Sequence, residues 1–441
     1  MKKTSENILS LFWTQFFGAL NDNVFKNALV ILITYQGVSL MGINSQALVA
    51  LSGGVFILPF FFLSATSGQI ADRFEKSNLV VLIKKFEIVI ALLAVAGLFY
   101  KNYPILLFTL FLFGLHSTFF GPLKYSLIPH YTSEEHLVFS NALVSSGTFV
   151  AILVGTILGG LAASDQNNLW FLKILVVGFA TLGLIFAKKL SKVSVHEHAD
   201  PKMNEVDWNF FSSSKNIIKL VFKNSLIAIL VIGLSWFWFL GAGLLTLLPL
   251  LAKNIFHGNE RVATMMLFTF TLGMGIGPFV FEKFTHGRVI RAFIPLSLVA
   301  MSFFIFDIAF LINYIEKQSS FMGVISTLSG NLGIKDFFEL NMSYRVLIDL
   351  FALSFFGGIF TVPQFAELQR ITSHGELSRI IAGNNIINAL AMVSVSLMLM
   401  ILLQKHLNLS VIFGILGFLN MGMCIYLIFF YRNEFNKFWN F

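Results

Sequence analysis

The chain has 441 residues, of which 56% are hydrophobic and 12% charged. A soluble domain carries about 25% charged residues, so a water-soluble globule is excluded. The net charge of +8 raises nucleic acid as a partner, but in so apolar a chain basic loops on one side of a membrane account for it, and no nucleic acid is expected. The single cysteine, Cys424, excludes an intramolecular disulfide and a Cys-rich metal site. The apolar runs are long and continuous, not short and alternating, which favours helices over an outer-membrane barrel.

The expected fold is an all-α polytopic membrane protein with twelve transmembrane helices, at 8–36, 46–70, 79–100, 104–128, 137–163, 168–188, 224–252, 262–282, 289–314, 343–368, 378–404 and 408–431. Lys2 and Lys3 before the first run resemble the start of a signal peptide. The run is too long for one, contains Asp22 and Lys26 and lacks a small-residue cleavage site, so it reads as a retained first helix. Two connections are long: 189–223, polar and basic, and 315–342, which contains Ser, Gly and Asn. The first divides the chain into an N-terminal six-helix half (1–188), a linker (189–223) and a C-terminal six-helix half (224–441) carrying 315–342 as an outer-side insertion. With the N-terminus inside, about 20 of the 30 basic residues, Lys84 among them, fall on the inner side and about 8 on the outer. Both termini are therefore expected in the cytoplasm.

The first span raises the functional question. QFFGALNDNVFKNAL places Gln15, Asn21, Asp22, Asn23, Lys26 and Asn27 inside a stretch that belongs in hydrocarbon. A charge at the centre of a spanning helix costs roughly 2.5–3.5 kcal/mol on insertion scales, so such residues face a protein interior or a watery cavity. Asp22 and Lys26 are four residues apart and share a helix face with Gln15. They read either as an internal ion pair that fixes packing or as the lining of a central cavity matched to a zwitterion. Lys124, beside Pro122 in the fourth span, is a lysine that snorkels to the inner surface or a phosphate-binding cation near the exit. Glu367, with Gln364 and Gln369 at the inner end of span 10, is a gate or coupling acid, or an interfacial one. Asn384, Asn385 and Asn388 in span 11 and Asn141 in span 5 are binding amides or interhelical hydrogen bonds.

In the linker, Lys215, Lys219 and Lys223 form a basic stripe opposite Ile217, Ile218, Val221 and Phe222, the pattern of an amphipathic helix on an anionic leaflet. His196, Glu197, His198 and Asp200 are a weak metal pattern, and no metal is expected. No GxSxG elbow, P-loop or HExxH appears, so neither catalysis nor a cofactor is expected.

The chain repeats itself weakly. GQIADRFEKS (68–77) matches GPFVFEKFTHGR (277–288), and FGPLKYSLIPHYTSEEHLVFSNAL (120–143) matches FTVPQFAELQRITSHGELSRIIAGNNI (360–386). GQIADRFEKS also resembles the loop 2–3 signature of the major facilitator superfamily, with Gly68, Asp72, Arg73 and Lys76 at its spacing. Physically, Gly68 lets two helices approach closely, and Asp72 is expected to cap the next helix and to pair with a cation of a neighbouring one, latching one alternating-access state. Two six-helix halves with a site at the midplane are that superfamily's plan.

Taken with ILVGTILGG and AGNN, these stretches resemble the bacterial lysophospholipid transporter family, collinearly over nearly the whole chain. The resemblance implies a flippase that carries lysophospholipid, lysophosphatidylethanolamine above all, from the outer to the inner leaflet of the bacterial inner membrane for reacylation. It also implies a separate acyltransferase as partner, since this sequence stops after span 12. The headgroup would meet Asp22, Lys26 and nearby amides, and Phe16, Phe17 and Phe25 would border an opening for the acyl tail. The 315–342 stretch is longer than the family's loop, and the family's second-half binding residues are not recognisable in WFWFLGAGLLTLLPLL (236–251). Two rivals stand beside this reading: a proton-coupled exporter of a drug or siderophore, and a membrane scaffold that does not transport.

Overall fold

The structure is a computed structural model that describes residues 2–40, 42, 45–163, 169–193, 206–317, 332–340 and 342–439. Most of the 315–342 insertion and the whole His196–Asp200 pattern lie outside the described residues. In hydrocarbon every backbone N–H and C=O must find a partner within the segment, which leaves the helix as the natural form of long apolar runs. Twelve long helices result: α1 (Lys2–Tyr35), α2 (Ser45–Arg73), α3 (Lys76–Phe99), α4 (Tyr103–Tyr131), α5 (Leu137–Ala163) and α6 (Trp170–Ala187), then α8 (Ser225–Leu250), α9 (Glu260–Thr285), α10 (Phe293–Lys317), α12 (Ser343–Ile371), α13 (Leu377–Gln404) and α14 (Leu409–Trp439). Two short ones, α7 (Phe210–Lys223) and α11 (Ile334–Glu339), lie between them. Among the described residues the only β pairing is an isolated bridge between Gly258 and Leu332.

Eleven of the twelve are long and apolar enough to cross a membrane. The other is α3, which is as apolar but places three charges, Lys84, Lys85 and Glu87, within its apolar stretch. Lys84 is fully buried, which corrects its assignment to the inner surface.

The helices group into two compact units. The first contains residues 1–231 and 368–389; the second contains 232–367 and 390–441. In the first, α1 packs on α5 and α6, α2 on α4, and α3 on α4 and α6. The α1–α5 contact shows why ILVGTILGG is small: a β-carbon at Gly155 would lie 2.7 Å from the Leu20 carbonyl oxygen, and Gly159 lies against Val24. Such small-xxx-small spacing is how helices approach without a hydrophobic drive between them. Polar bonds reinforce the contact: Asn27 Nδ2 donates to the Thr156 carbonyl at 2.6 Å and Gln15 Nε2 to the Val144 carbonyl at 3.2 Å.

A second close approach occurs in both units. In the first, Gly114 of α4 sits against the Phe56 carbonyl of α2; in the second, Gly277 of α9 sits against the Phe355 carbonyl of α12. In the second unit α10 packs on α14, where Asn420 Nδ2 donates to the Leu298 carbonyl and to Ser302 while its Oδ1 accepts from Trp236 Nε1.

The amphipathic α7 forms as expected, but its apolar side covers protein. Ile217 and Val221 are buried over Gly383 of α13, and Ile217 clusters with Ala65 and Ile386. Phe211 and Phe222 are the aromatics left exposed on this helix.

Helix α3 is capped by Glu75, whose carboxylate accepts from the backbone N–H of Ser77 (3.0 Å) and Asn78 (2.6 Å) and from the Ser77 hydroxyl. Asp72 does not cap it; the carboxylate immediately before the helix reaches its orphan donors, and Asp72 is spent elsewhere. Burial pushes the Glu75 carboxyl up, yet the hydrogen bonds from Ser77, from the Val193 backbone and from Asn78 outweigh it and hold the group below its ordinary value. A depressed carboxylate contributes stability above the unfolded value, about 4.3, and loses it as pH falls through the folded one. Glu75→Ala is therefore expected to lower stability by ~0.5–2 kcal/mol at neutral pH. The gap to wild type should close on acidification; equal thermal midpoints at pH 7 would refute the cap's contribution.

Candidate functional site

The signature loop assembles a latch within the first unit. A β-carbon at Gly68 would lie 2.5 Å from Ala382 Cβ and 3.0 Å from the Ser378 carbonyl oxygen, so α2 and the start of α13 touch through the missing side chain. Asp72 then meets the N-terminus of α13: it accepts from the backbone N–H of Ser378 (3.2 Å) and Arg379 (3.3 Å), and from Arg379 Nε at 3.1 Å. A carboxylate at a helix N-terminus satisfies orphan donors and meets the positive end of the dipole. Lys76 completes the junction, donating to the Ala71 carbonyl and to Ser378 Oγ, each at 2.8 Å. Arg73 takes no part; it is exposed, with its guanidinium over the Phe74 ring. Gly68→Val is expected to overpack this crossing by ~1–3 kcal/mol, lowering the thermal midpoint and, through loss of the Asp72 contacts, transport. An unchanged midpoint with unchanged transport would show that the crossing tolerates a side chain.

Deeper in the same unit the charges of α1, α3 and α4 converge. Asp22 is buried, accepts from the Ser117 hydroxyl through Oδ2, and has no partner for Oδ1 among the described residues. Lys26 makes no contact ion pair with it; its ammonium lies 5.4 Å from the centroid of the Phe56 ring and within electrostatic range of Asp22. Lys124 is also drawn in, 4.7 Å from the Tyr125 ring centroid and in range of both Asp22 and Lys84. The simple internal-pair reading of Asp22 and Lys26 thus gives way to a wider cluster.

Three members of that cluster are absent from the sequence-based candidates. Lys84 Nζ lies 2.7 Å from Glu87 Oε2, both fully buried. Glu87 Oε1 accepts from Asn21 Nδ2 at 3.0 Å, and His116 Nε2 stands 3.3 Å from Oε2. Lys84 reaches this depth because α1 presents Gly18 where a side chain would collide with the ammonium. The signal was present as charges at spacing i,i+3 in KKFE within an apolar run, and as a lone His in FGLHSTFFG.

Other candidates are placed as structural amides. Gln15 bonds α5 through Val144 and Thr148, and Asn23 donates to Ala19 of its own helix. Asn141 exchanges hydrogen bonds with Gln369 at 2.6 and 3.2 Å, and Gln369 also donates to the Tyr125 carbonyl. Asn384 is buried in α13. Phe25 packs against Phe113 in the core, with ring centroids 5.2 Å apart, so it borders no opening; Phe17 stacks on Trp13, and Phe16 meets that ring edge-on. In the second unit Glu367 is fully buried and accepts from Arg291 Nη2 at 2.6 Å. Among the described residues no group of three or more His, Cys, Asp or Glu side chains could hold a metal.

A helical bundle with a superfamily-type latch and ionisable groups sealed inside a unit defines a membrane carrier. The chain belongs to the Major Facilitator Superfamily, whose family profile matches residues 11–334. It is a multi-pass secondary transporter. Over 375 residues it is 25% identical to the lysophospholipid transporter LplT of Yersinia pestis (strain Pestoides F), an alignment spanning 84% of this chain and 80% of that protein. LplT of Yersinia pseudotuberculosis (serotype O:3, strain YPIII) is equally similar. The fold resembles the human organic anion transporter MFSD10, with a TM-score of 0.71 at 13% identity over 96% of this chain and 99% of that one. It also resembles the E. coli fucose:proton symporter FucP, with a TM-score of 0.67 at 13% identity over 95% and 97%.

Proposed function

We propose that this carrier moves lysophospholipids, lysophosphatidylethanolamine above all, from the outer to the inner leaflet of a bacterial inner membrane by alternating access. The similarity to transporters named for that cargo supports the reading. The observation that carries it is the charge balance around Asp22. Lys26, Lys84 and Lys124 face Asp22 and Glu87, and the Lys84–Glu87 pair closes on itself. That leaves two cations, Lys26 and Lys124, over aromatic rings, and one carboxylate with an oxygen unsatisfied among the described residues. A phosphate–ammonium headgroup answers both halves: the cations take the phosphate and Asp22 takes the ammonium.

In this reading the Asp72–α13 junction is the latch that must open once per cycle, and Glu367 with Arg291 is a second charged element that rearranges. Both termini lie in the cytoplasm, and a separate acyltransferase consumes the delivered lipid. The test is uptake of labelled lysophosphatidylethanolamine from the outer leaflet by cells with and without the protein. Carrier-dependent entry is expected. Its absence from cells with folded, inserted protein would remove the lysolipid reading and turn attention to export of another solute.

A further inference from the structure

We propose that the outward face of α7 is a docking surface for anionic phospholipid headgroups, and that the leaflet on the latch's side thereby holds α7 against the seam of α2 and α13. With the orientation proposed above that leaflet is the inner one. The inference does not depend on the cargo.

The helix has two faces with different tasks. Inward, Ile217 and Val221 lie so close to α13 that a β-carbon on Gly383 would stand 3.0 Å from Ile217 Cγ2 and 2.6 Å from Val221 Cγ2. Gln69 of α2 accepts from the Asp207 backbone N–H at 2.9 Å and donates to the Ser213 hydroxyl. The strap therefore crosses the same two helices that Gly68 and Asp72 join. Outward, Phe211, Lys215, Lys219 and Phe222 share one side of the helix, with Lys223 beside them and Trp208 just before the first turn. All are exposed, Phe211 by 79%, Trp208 by 73% and Phe222 by 51%. The helix carries no acidic residue. Positive charge and aromatic rings thus alternate on a surface that the unit leaves uncovered.

Two observations say what covers it. The first is continuity with a lipid-facing surface. Phe210 packs on Phe61 and Phe62 of α2, with ring centroids 5.5 and 4.9 Å apart. Phe62 and Leu58 are themselves exposed, on a helix long and apolar enough to cross a membrane. The aromatic edge of α7 extends that apolar belt toward the latch. The second is where the chain goes next. Asn224 follows Lys223 directly and caps α8, its Oδ1 accepting from the Leu226 N–H at 2.9 Å, and α8 is again a candidate span. Lys223 therefore stands where hydrocarbon meets headgroups. At that level exposed rings settle into the boundary of headgroups and acyl chains, and lysines reach the phosphates. Each lysine near an anionic leaflet favours docking by roughly fivefold. A protein partner would have to wedge into a face whose edge is already level with lipid.

The test is hydrogen exchange of the backbone amides of 206–223 in the full-length carrier, held in nanodiscs of phosphatidylethanolamine with or without phosphatidylglycerol. At low salt the anionic lipid is expected to slow exchange in α7 by about tenfold or more, and high salt should remove most of the difference. The triple variant Lys215→Gln, Lys219→Gln, Lys223→Gln changes exposed side chains only. It should keep the wild-type thermal midpoint in detergent and show no slowing. Equal exchange of wild type in both bilayers overturns the proposal and leaves this face to a protein partner. Slowing that persists in the triple variant also overturns it, because the lipid then acts elsewhere on the chain. The wild-type comparison decides by itself if the variant fails to fold. Neither result bears on the lysolipid reading, which uptake tests separately.

Discussion

Asp22→Asn is expected to abolish lysophosphatidylethanolamine uptake. Removing one partner of a desolvated charge pair typically costs 2–5 kcal/mol, and each 1.4 kcal/mol is a factor of ten, so initial rates should fall by ~100-fold or more at matched expression. The amide preserves shape and can still accept from Ser117, so the loss reports charge and not packing. The thermal midpoint should hold or rise, because an incompletely partnered carboxylate leaves a dry site. Lys26→Gln and Lys124→Gln should each weaken uptake less, since either cation can partly serve the phosphate. Wild-type rates in Asp22→Asn would dismiss this carboxylate as the headgroup's partner.

Lys84→Met should be the most destabilising single change in the first unit. It leaves Glu87, with no exposed surface, facing only Asn21 and His116. Breaking a buried pair by removing one partner costs about 3–5 kcal/mol, while replacing both partners is often neutral. The double variant Lys84→Met with Glu87→Gln should therefore recover most of the loss, read as thermal midpoints of the purified carrier. Equal losses in the single and double variants would mean that the pair is not an energetic unit. A lysine methyl-isostere also fills the space that Gly18 leaves open, so packing is nearly held constant.

The fold was largely legible in the sequence. Span length, the twelve apolar runs and the basic bias of loops follow from the bilayer's thickness and the absence of water in it. Gly68 was legible as a contact because its neighbours Asp72 and Lys76 carry a pattern with a mechanical meaning. The buried site was half legible. Asp22 and Lys26 stand out because nothing else in their run is charged. Lys84 and Glu87 did not, since they lie beside the exposed Lys85, and charge alone does not report depth. Gln15 and Asn141 drew a binding interpretation because an amide in an apolar run satisfies a backbone carbonyl and a ligand equally well, and only the partner's position tells the two apart. The apolar face of α7 was visible; what it covers was not, because a protein groove and a lipid surface select the same side chains.

Gly114 against Phe56 and Gly277 against Phe355 bear on what an internal repeat preserves. By the internal repeat, α2 and α4 of the first unit correspond to α9 and α12 of the second; the first crossing takes its glycine from α4 alone, while the second takes one from each helix, Gly277 of α9 and Gly358 of α12, the latter against Pro278 and the Met274 carbonyl. What the two share is a spacing between backbones, not a residue at a matched position. A close crossing keeps its backbone spacing whichever helix supplies the glycine, so two units can agree in spacing where their letters differ.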